Sequence, residues 1–370
     1  MACAMACAIA GTVACTDGPA APKVLDITGR LERGDTIVVH PTTDDGQGVT
    51  LSVTPANNAT VLSDTTLLLR VAGHVTIQIH LADGTTASQT VTVAAPPSIV
   101  FDLSVQGNRD IYRAAIDGGE LTRLTTAGGD DVHPSAAGGT VVFTSFRDGN
   151  AELYTVPLTG GQDHRVTTSA DTSETEPSLS FDGQRIAYVS TARNGVAAVW
   201  LIARDGSNAR ALLKPDAATS GAPQVSPAWG PDGQVLFVGT TGSSADLYTA
   251  PADSAPTMPT AVASANSAFA EVDGAWSVDG DRLAFVSDRS GSTQLYVVRP
   301  SGSGQDAAAH VIDLAGSGIG QPTWLSDGRI VFATFRAGTW QLHWIDPVAL
   351  DGVHDIPLPA GDPQHPSAAR

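Results

Sequence analysis

Six times between Ile99 and His343 the chain repeats one unit: a glycine-containing turn, a strand carrying an aromatic, a polar hairpin, and a second strand with an aliphatic–aromatic pair. The first-strand aromatics are Phe101, Phe143, Tyr188, Phe237, Phe285 and Phe332, spaced 42 to 49 residues apart. A second ladder runs beside them: Ile111-Tyr112, Leu153-Tyr154, Val199-Trp200, Leu247-Tyr248, Leu295-Tyr296 and Leu342-His343. A period of roughly 40–50 residues holding several short strands is that of propeller blades, each too small to bury its apolar face alone. Such a repeat restricts the architecture strongly and the chemistry hardly at all.

Each repeat reads as an inner strand, a turn, two further strands joined by a polar hairpin, and an outer strand. Asp182-Gly183, Asp232-Gly233, Asp279-Gly280 and Asp327-Gly328 predict two-residue hairpins with both central residues at positive φ, and Gly138-Gly139 does the same in the second repeat. Trp229, Trp276 and Trp324 each stand three residues before such a turn. The first repeat has no inner strand of its own. The chain ends on His365-Pro366-Ser367-Ala368-Ala369, the same five letters as His133-Pro134-Ser135-Ala136-Ala137. The C-terminus is therefore expected to supply the missing strand, zipping beside the Phe101 segment and closing six blades over residues 98–370. A ring closed in this way leaves few free sheet edges. The glycine-rich run Gly316–Gly320 reads as a loop between blades.

Ahead of the repeats, residues 1–14 form a short apolar leader, too short to span a bilayer. It ends in Thr12-Val13-Ala14-Cys15, which resembles the bacterial lipoprotein cleavage box and implies lipidation at Cys15. The three cysteines, Cys3, Cys7 and Cys15, all fall here, which excludes a disulfide framework or a cysteine metal site in the body of the protein. Residues 15–23 read as a tether. Residues 24–95 carry short alternating runs (Val24–Ile27, Thr36–Val39, Val49–Val53, Leu67–Val71, Val75–Ile79, Thr90–Val93) separated by turn formers, the pattern of a small sandwich. The stretch from Leu51 to Val93 resembles a bacterial immunoglobulin-like domain, which implies a spacer or adhesion module. The fold class is all-β.

The words Trp-Gly-Pro-Asp-Gly, Trp-Ser-Val-Asp-Gly and Trp-Leu-Ser-Asp-Gly, with Phe-Val-Ser-Asp-Arg at 285–289 and Leu-Tyr-Val-Val at 295–298, resemble the WD-like repeats of the TolB β-propeller family. That resemblance implies a cell-envelope protein working through protein contacts. Formal net charge is −18 and only two basic residues are lysine, Lys23 and Lys214, so phosphate backbones are repelled, nucleic-acid binding is disfavoured and no nucleic-acid partner is expected. No Gly-x-Ser-x-Gly elbow and no His-Glu-x-x-His pair occurs.

In a propeller the residue just before each inner-strand proline (or Gly274) should approach one mouth of the axial channel. Those residues are His133, Glu176, Ser226, Asp273, Gln321 and His365. His133, His365, Gln321 and Glu176 could together hold a divalent cation. In residue type they resemble the His- and Gln-bearing channel of some metal-dependent pectate-degrading lyases. Four hairpins expected at the same mouth carry arginine: Arg147, Arg193, Arg289 and Arg336. Their guanidinium forks could grip carboxylates of a peptide or sugar acid, or bond to acids in neighbouring loops and stiffen the blades. The leading expectation is a non-enzymatic, exported, lipid-anchored monomer that binds an envelope protein or peptide without a cofactor. The alternative is a metal-dependent, lyase-like or sugar-binding propeller.

Overall fold

The computed structural model describes residues 25–41, 49–81, 84, 86–191, 195–214, 223–241, 244–300, 309–312, 318–349 and 352–370. Among them every regular element is a strand, and no helix is long and apolar enough to cross a membrane. The expected leader, tether and lipidation residue Cys15, together with Arg193, lie outside the described residues. The chain divides into two compact units, Met1–Pro96 and Pro97–Arg370.

In the first unit Leu25–Thr28, Thr36–Pro41, Thr66–Leu69 and Ala59–Val61 form one sheet, and Val49–Thr54, Gly73–Leu81 and Thr86–Val93 form another. Alternation explains why both sheets face one core: Val75, Ile77 and Ile79 are buried while Thr76 and Gln78 between them are not. Those three pack with Ile37, Val39, Leu67 and Leu69 of the other sheet, giving a β-sandwich. The short strand Ala59–Val61 carries too few apolar residues to stand out in sequence.

Among its described residues the second unit contains six four-stranded antiparallel sheets. One runs Asp131–Ala137, Thr140–Ser145, Glu152–Pro157, His164–Arg165 from first strand to last. In all six the two aromatic ladders meet as directly opposed residues, Phe143 beside Tyr154 and Phe285 beside Tyr296 among them. In five sheets the paired rings stack with centroids 5.7–6.2 Å apart. The five phenylalanines of this ladder are essentially solvent-free. Burial of each stabilises by about 1.5–3 kcal/mol, so the repeat is a ladder of core anchors.

The inner strands are Asp131–Ala137, Ser173–Leu179, Gln224–Trp229, Glu271–Trp276, Gly318–Trp324 and Asp362–Ala368. The last belongs to the first sheet: it pairs with Ser98–Val105, with Ser367 opposite Val100. Each inner strand packs on the next, and Asp362–Ala368 packs on both Gly318–Trp324 and Asp131–Ala137.

Two expectations need correction. Of the five turns expected to be two-residue hairpins, only Gly138-Gly139 has both residues at positive φ, joining Ala137 to Thr140. In the Asp-Gly turns only the glycine has positive φ. The loops are longer, and each aspartate bends back so that its Oδ1 accepts the N–H two residues on, as in Asp182 to Gln184 at 3.0 Å. Asp-Gly here writes an Asx-stabilised loop, a mechanism that competes for the same dipeptide. Likewise Gly318 to Gly320 are no loop but the start of an inner strand, kept slender because a Cβ on Gly320 would lie 3.2 Å from Asp273 Oδ2.

Candidate functional site

His133, Glu176, Ser226, Asp273, Gln321 and His365 share one backbone anomaly. All six lie in the left-handed region, with φ between 50° and 58°. Each sits at the point where its inner strand loses register with the neighbour, a β-bulge. Five of the six precede proline, which disfavours helical φ/ψ further. Surrounding structure must over-determine a conformation costing about 1–3 kcal/mol per residue.

What over-determines it is a chain of hydrogen bonds from one sheet to the next. Ser226 N donates to Glu176 Oε2 at 2.7 Å, Gln321 N to Asp273 Oδ2 at 3.0 Å, and His365 N to Gln321 Oε1 at 2.8 Å. Across the first sheet the link runs through Asp102: His133 N donates to Asp102 Oδ1 at 3.2 Å, and His365 Nδ1 lies 2.6 Å from the same oxygen. Hydroxyls two residues beyond the bulge add a second belt, with Leu179 N donating to Ser135 Oγ at 2.9 Å and Trp229 N to Ser178 Oγ at 3.2 Å.

All six bulge residues line one cavity of about 380 Å³, together with the prolines after them, Trp229, Trp276 and Arg370. They lie within the inner strands, third in the strand in three sheets and fourth in the other three. The imidazoles of His133 and His365 are in contact, with centroids 3.8 Å apart. Burial, and secondarily the nearby His365, holds the His133 imidazole down to about 3, so it is neutral at ordinary pH. Burial pushes the carboxyls of Glu176 and Asp273 up. It also lowers the Arg370 guanidinium to about 10, where that side chain lies over the Phe181 ring and donates to Trp324 O at 3.2 Å. Among the described residues no three His, Cys, Asp or Glu side chains come together as a metal-ligand group.

The described hairpin arginines, Arg147, Arg289 and Arg336, are elsewhere. Arg147 bonds to the fully buried Asp131 at 3.0 Å and to Asp163 at 2.5 Å, and covers the Tyr154 ring at 4.4 Å. Arg289 repeats the arrangement with Glu271 at 3.0 Å and the Tyr296 ring. Each guanidinium thus caps its own sheet, and neither lines the cavity. Arg336 is exposed at the end of its strand.

Sequence reasoning missed Asp102, Arg109 and Arg370. Asp102 was the most legible of these. It follows the ladder aromatic Phe101 where the other repeats have Thr144, Val189, Val238, Val286 and Ala333, so it is the one acid in that column.

Comparison with known proteins bears on fold. Residues 95–226 match the family model described as the TolB beta propeller domain. TolB from Acinetobacter baumannii superposes with a TM-score of 0.64 at 13% identity, over 87% of this chain and 83% of that one. The putative TolB from Agrobacterium tumefaciens gives 0.55 at 19% identity, over 72% and 90%. The second unit has a TolB-like propeller fold. A chain of a nidogen/laminin complex also superposes, with a TM-score of 0.56 at 11% identity over 74% of this chain and 98% of that one, so the likeness is one of fold. No curated protein matches the chain.

Proposed function

We propose that this is a non-enzymatic binding protein of the bacterial cell envelope, whose propeller receives a protein or peptide at the channel. In this reading residues 98–370 form a six-bladed ring closed by the C-terminal strand. Residues 24–95 are an immunoglobulin-like spacer, and Cys15 carries the lipid that tethers an exported monomer. The observation that carries it is the 380 Å³ cavity to which all six inner strands contribute in a TolB-like propeller. Its walls are pre-ordered by the sheet-to-sheet hydrogen bonds, which lowers the entropic cost of binding. No cofactor is required.

The test is retention of envelope proteins by the immobilised full chain, with free second unit as competitor. Recovery of one competed partner supports the reading. Recovery of none, alongside a small molecule in the mass spectrum of the native protein, overturns it. A Cys15→Ser variant should leave the membrane fraction, and its retention there would remove the lipid anchor from the scheme.

A further inference from the structure

Glu176, Ser226 and Asp273 stand at the same bulge position of three consecutive inner strands, and all three line the cavity. Each carboxyl uses one oxygen on a backbone N–H of the following strand: Glu176 Oε2 on Ser226 and Asp273 Oδ2 on Gln321. The Ser226 side chain also bonds to Glu176, which orients its hydroxyl and leaves the Ser226 Oγ lone pairs, Asp273 Oδ1 and the remaining lone pairs of the Glu176 carboxyl as acceptors. The only lining side chain with a permanent positive charge is Arg370, and it is engaged on Phe181 and Trp324 O. On the histidine side of the channel, His133 Nδ1 is buried with no hydrogen-bond partner. Buried carboxyls are ordinarily matched by a cation, and the basic group that acts on both of these is the His365 imidazole, whose Nδ1 is already held by Asp102.

We propose that the channel is a receptor for a primary ammonium group, held by Glu176, Ser226 and Asp273. This rests on the reading of the channel as the binding end of the molecule. An ammonium carries three donors and no acceptor, which matches three acceptors drawn from three adjacent strands. A guanidinium fits less well. Its planar fork prefers both oxygens of one carboxylate, and here each carboxylate has one already taken. Among the described residues no three His, Cys, Asp or Glu side chains converge as a divalent metal would need. The volume, about 380 Å³, lies at the small end of ligand sites and suits one head group and its stem rather than a folded segment. A net charge of −18 concentrates cations at the surface and steers them inward.

The experiment uses the full chain, with binding read by thermal shift and by tryptophan fluorescence, since Trp229 and Trp276 line the cavity. The probes are methylammonium, putrescine, an N- and C-blocked lysine, tetramethylammonium, guanidinium and Mn²⁺. Primary ammonium probes should bind at least tenfold more tightly than tetramethylammonium, guanidinium or Mn²⁺. Tighter binding of the blocked lysine assigns the group to a peptide partner, whereas tighter binding of putrescine assigns it to a free amine. Asp273→Asn keeps an acceptor for Gln321 N–H, and Glu176→Gln one for Ser226 N–H, and each should weaken primary amines tenfold. Equal affinity for methylammonium and tetramethylammonium overturns the proposal on the unsubstituted protein, whatever the variants do. So does undiminished amine binding by a folded Asp273→Asn chain. An envelope partner held equally by the Asp273→Asn variant sinks this inference and leaves the proposed function standing. Amine binding with no partner retained does the reverse.

Discussion

Asp102 is fully buried and accepts from three directions: Arg109 Nη1 at 2.5 Å, the backbone of His133, and His365 Nδ1. Arg109 also reaches Asp362 on the C-terminal strand, so one carboxylate and one guanidinium join three strands of the first sheet to the next sheet. Removing one partner of a buried pair leaves the other uncompensated, at about 3–5 kcal/mol. Asp102→Ala should lose that much in urea unfolding, and a loss below about 1 kcal/mol would mean the network is not holding this seam. His133 gives a pH signature. Its folded imidazole stays neutral down to about 3, while the unfolded side chain protonates near 6.5. Below pH 6.5 the unfolded state therefore binds the extra proton, and stability falls as pH falls toward 3. Glu176 and Asp273, raised by burial, act oppositely and hold protons in the folded state. His133→Asn, with a residue that tolerates positive φ, should flatten the acid slope between pH 6.5 and 4.5 by about 1 kcal/mol per pH unit. An unchanged slope would place the titration elsewhere. The six cavity residues were legible because each repeat puts one polar letter before its proline or, in the fifth sheet, before Gly274. Their left-handed backbone was not, because local preference opposes it and, at four of the six, a hydrogen bond from the neighbouring sheet to the backbone N–H holds it.

At the scale of the element, one departure from the repeat explains another. Five inner strands carry proline after the bulge and the fifth sheet carries Gly274. The residue before the ladder aromatic is Val100, Val142, Ala187, Leu236, Ala284 or Val331, so the one leucine belongs to the sheet preceding Gly274. A Cβ on Gly274 would lie 2.4 Å from Leu236 Cδ2, a close approach only glycine allows. Leu236 occupies the space that a side chain at position 274 would need. Gly274→Pro alone should cost about 1–3 kcal/mol by overpacking. Combined with Leu236→Val, much of that loss should return, giving a coupling of about 0.5–3 kcal/mol in a double-mutant cycle. Additive losses would break the pairing. This complementarity was present in the sequence but unreadable before the strands were in register, because the two positions are 38 residues apart. The Asp-Gly loops failed to read for a different reason: the dipeptide serves two turn geometries, and strand ends choose between them.

For the whole molecule, the decisive contact joins the ends of the second unit. The repeated pentapeptide marks equivalent strands: His133–Ala137 opens one sheet, and His365–Ala368 lies beside Ser98–Val105 with Ser367 opposite Val100. Nothing covalent holds this pairing. It rests on the backbone ladder, on Ala369 N donating to Ser98 O at 2.9 Å, and on the Arg109 bridge to Asp362. Removing residues 362–370 would strip one flank of Ser98–Val105 and take Asp362, His365 and Arg370 from the cavity and its seam. An edge so exposed templates pairing with other chains. The truncated chain should lose its cooperative unfolding transition and associate through that edge, measured by calorimetry and light scattering. A peptide of residues 362–370 added in trans should restore the monomer by strand addition. The pattern of loss matters as much as its size. If the sheets form one circuit, then opening the first weakens all six and the transition broadens as a whole. If they are merely stacked in a row, only Phe101, Tyr112 and their neighbours melt early while the ladder from Phe143 to Phe332 holds. Recovery of a sharp transition without the peptide would show that the C-terminal strand decorates the propeller rather than closing it.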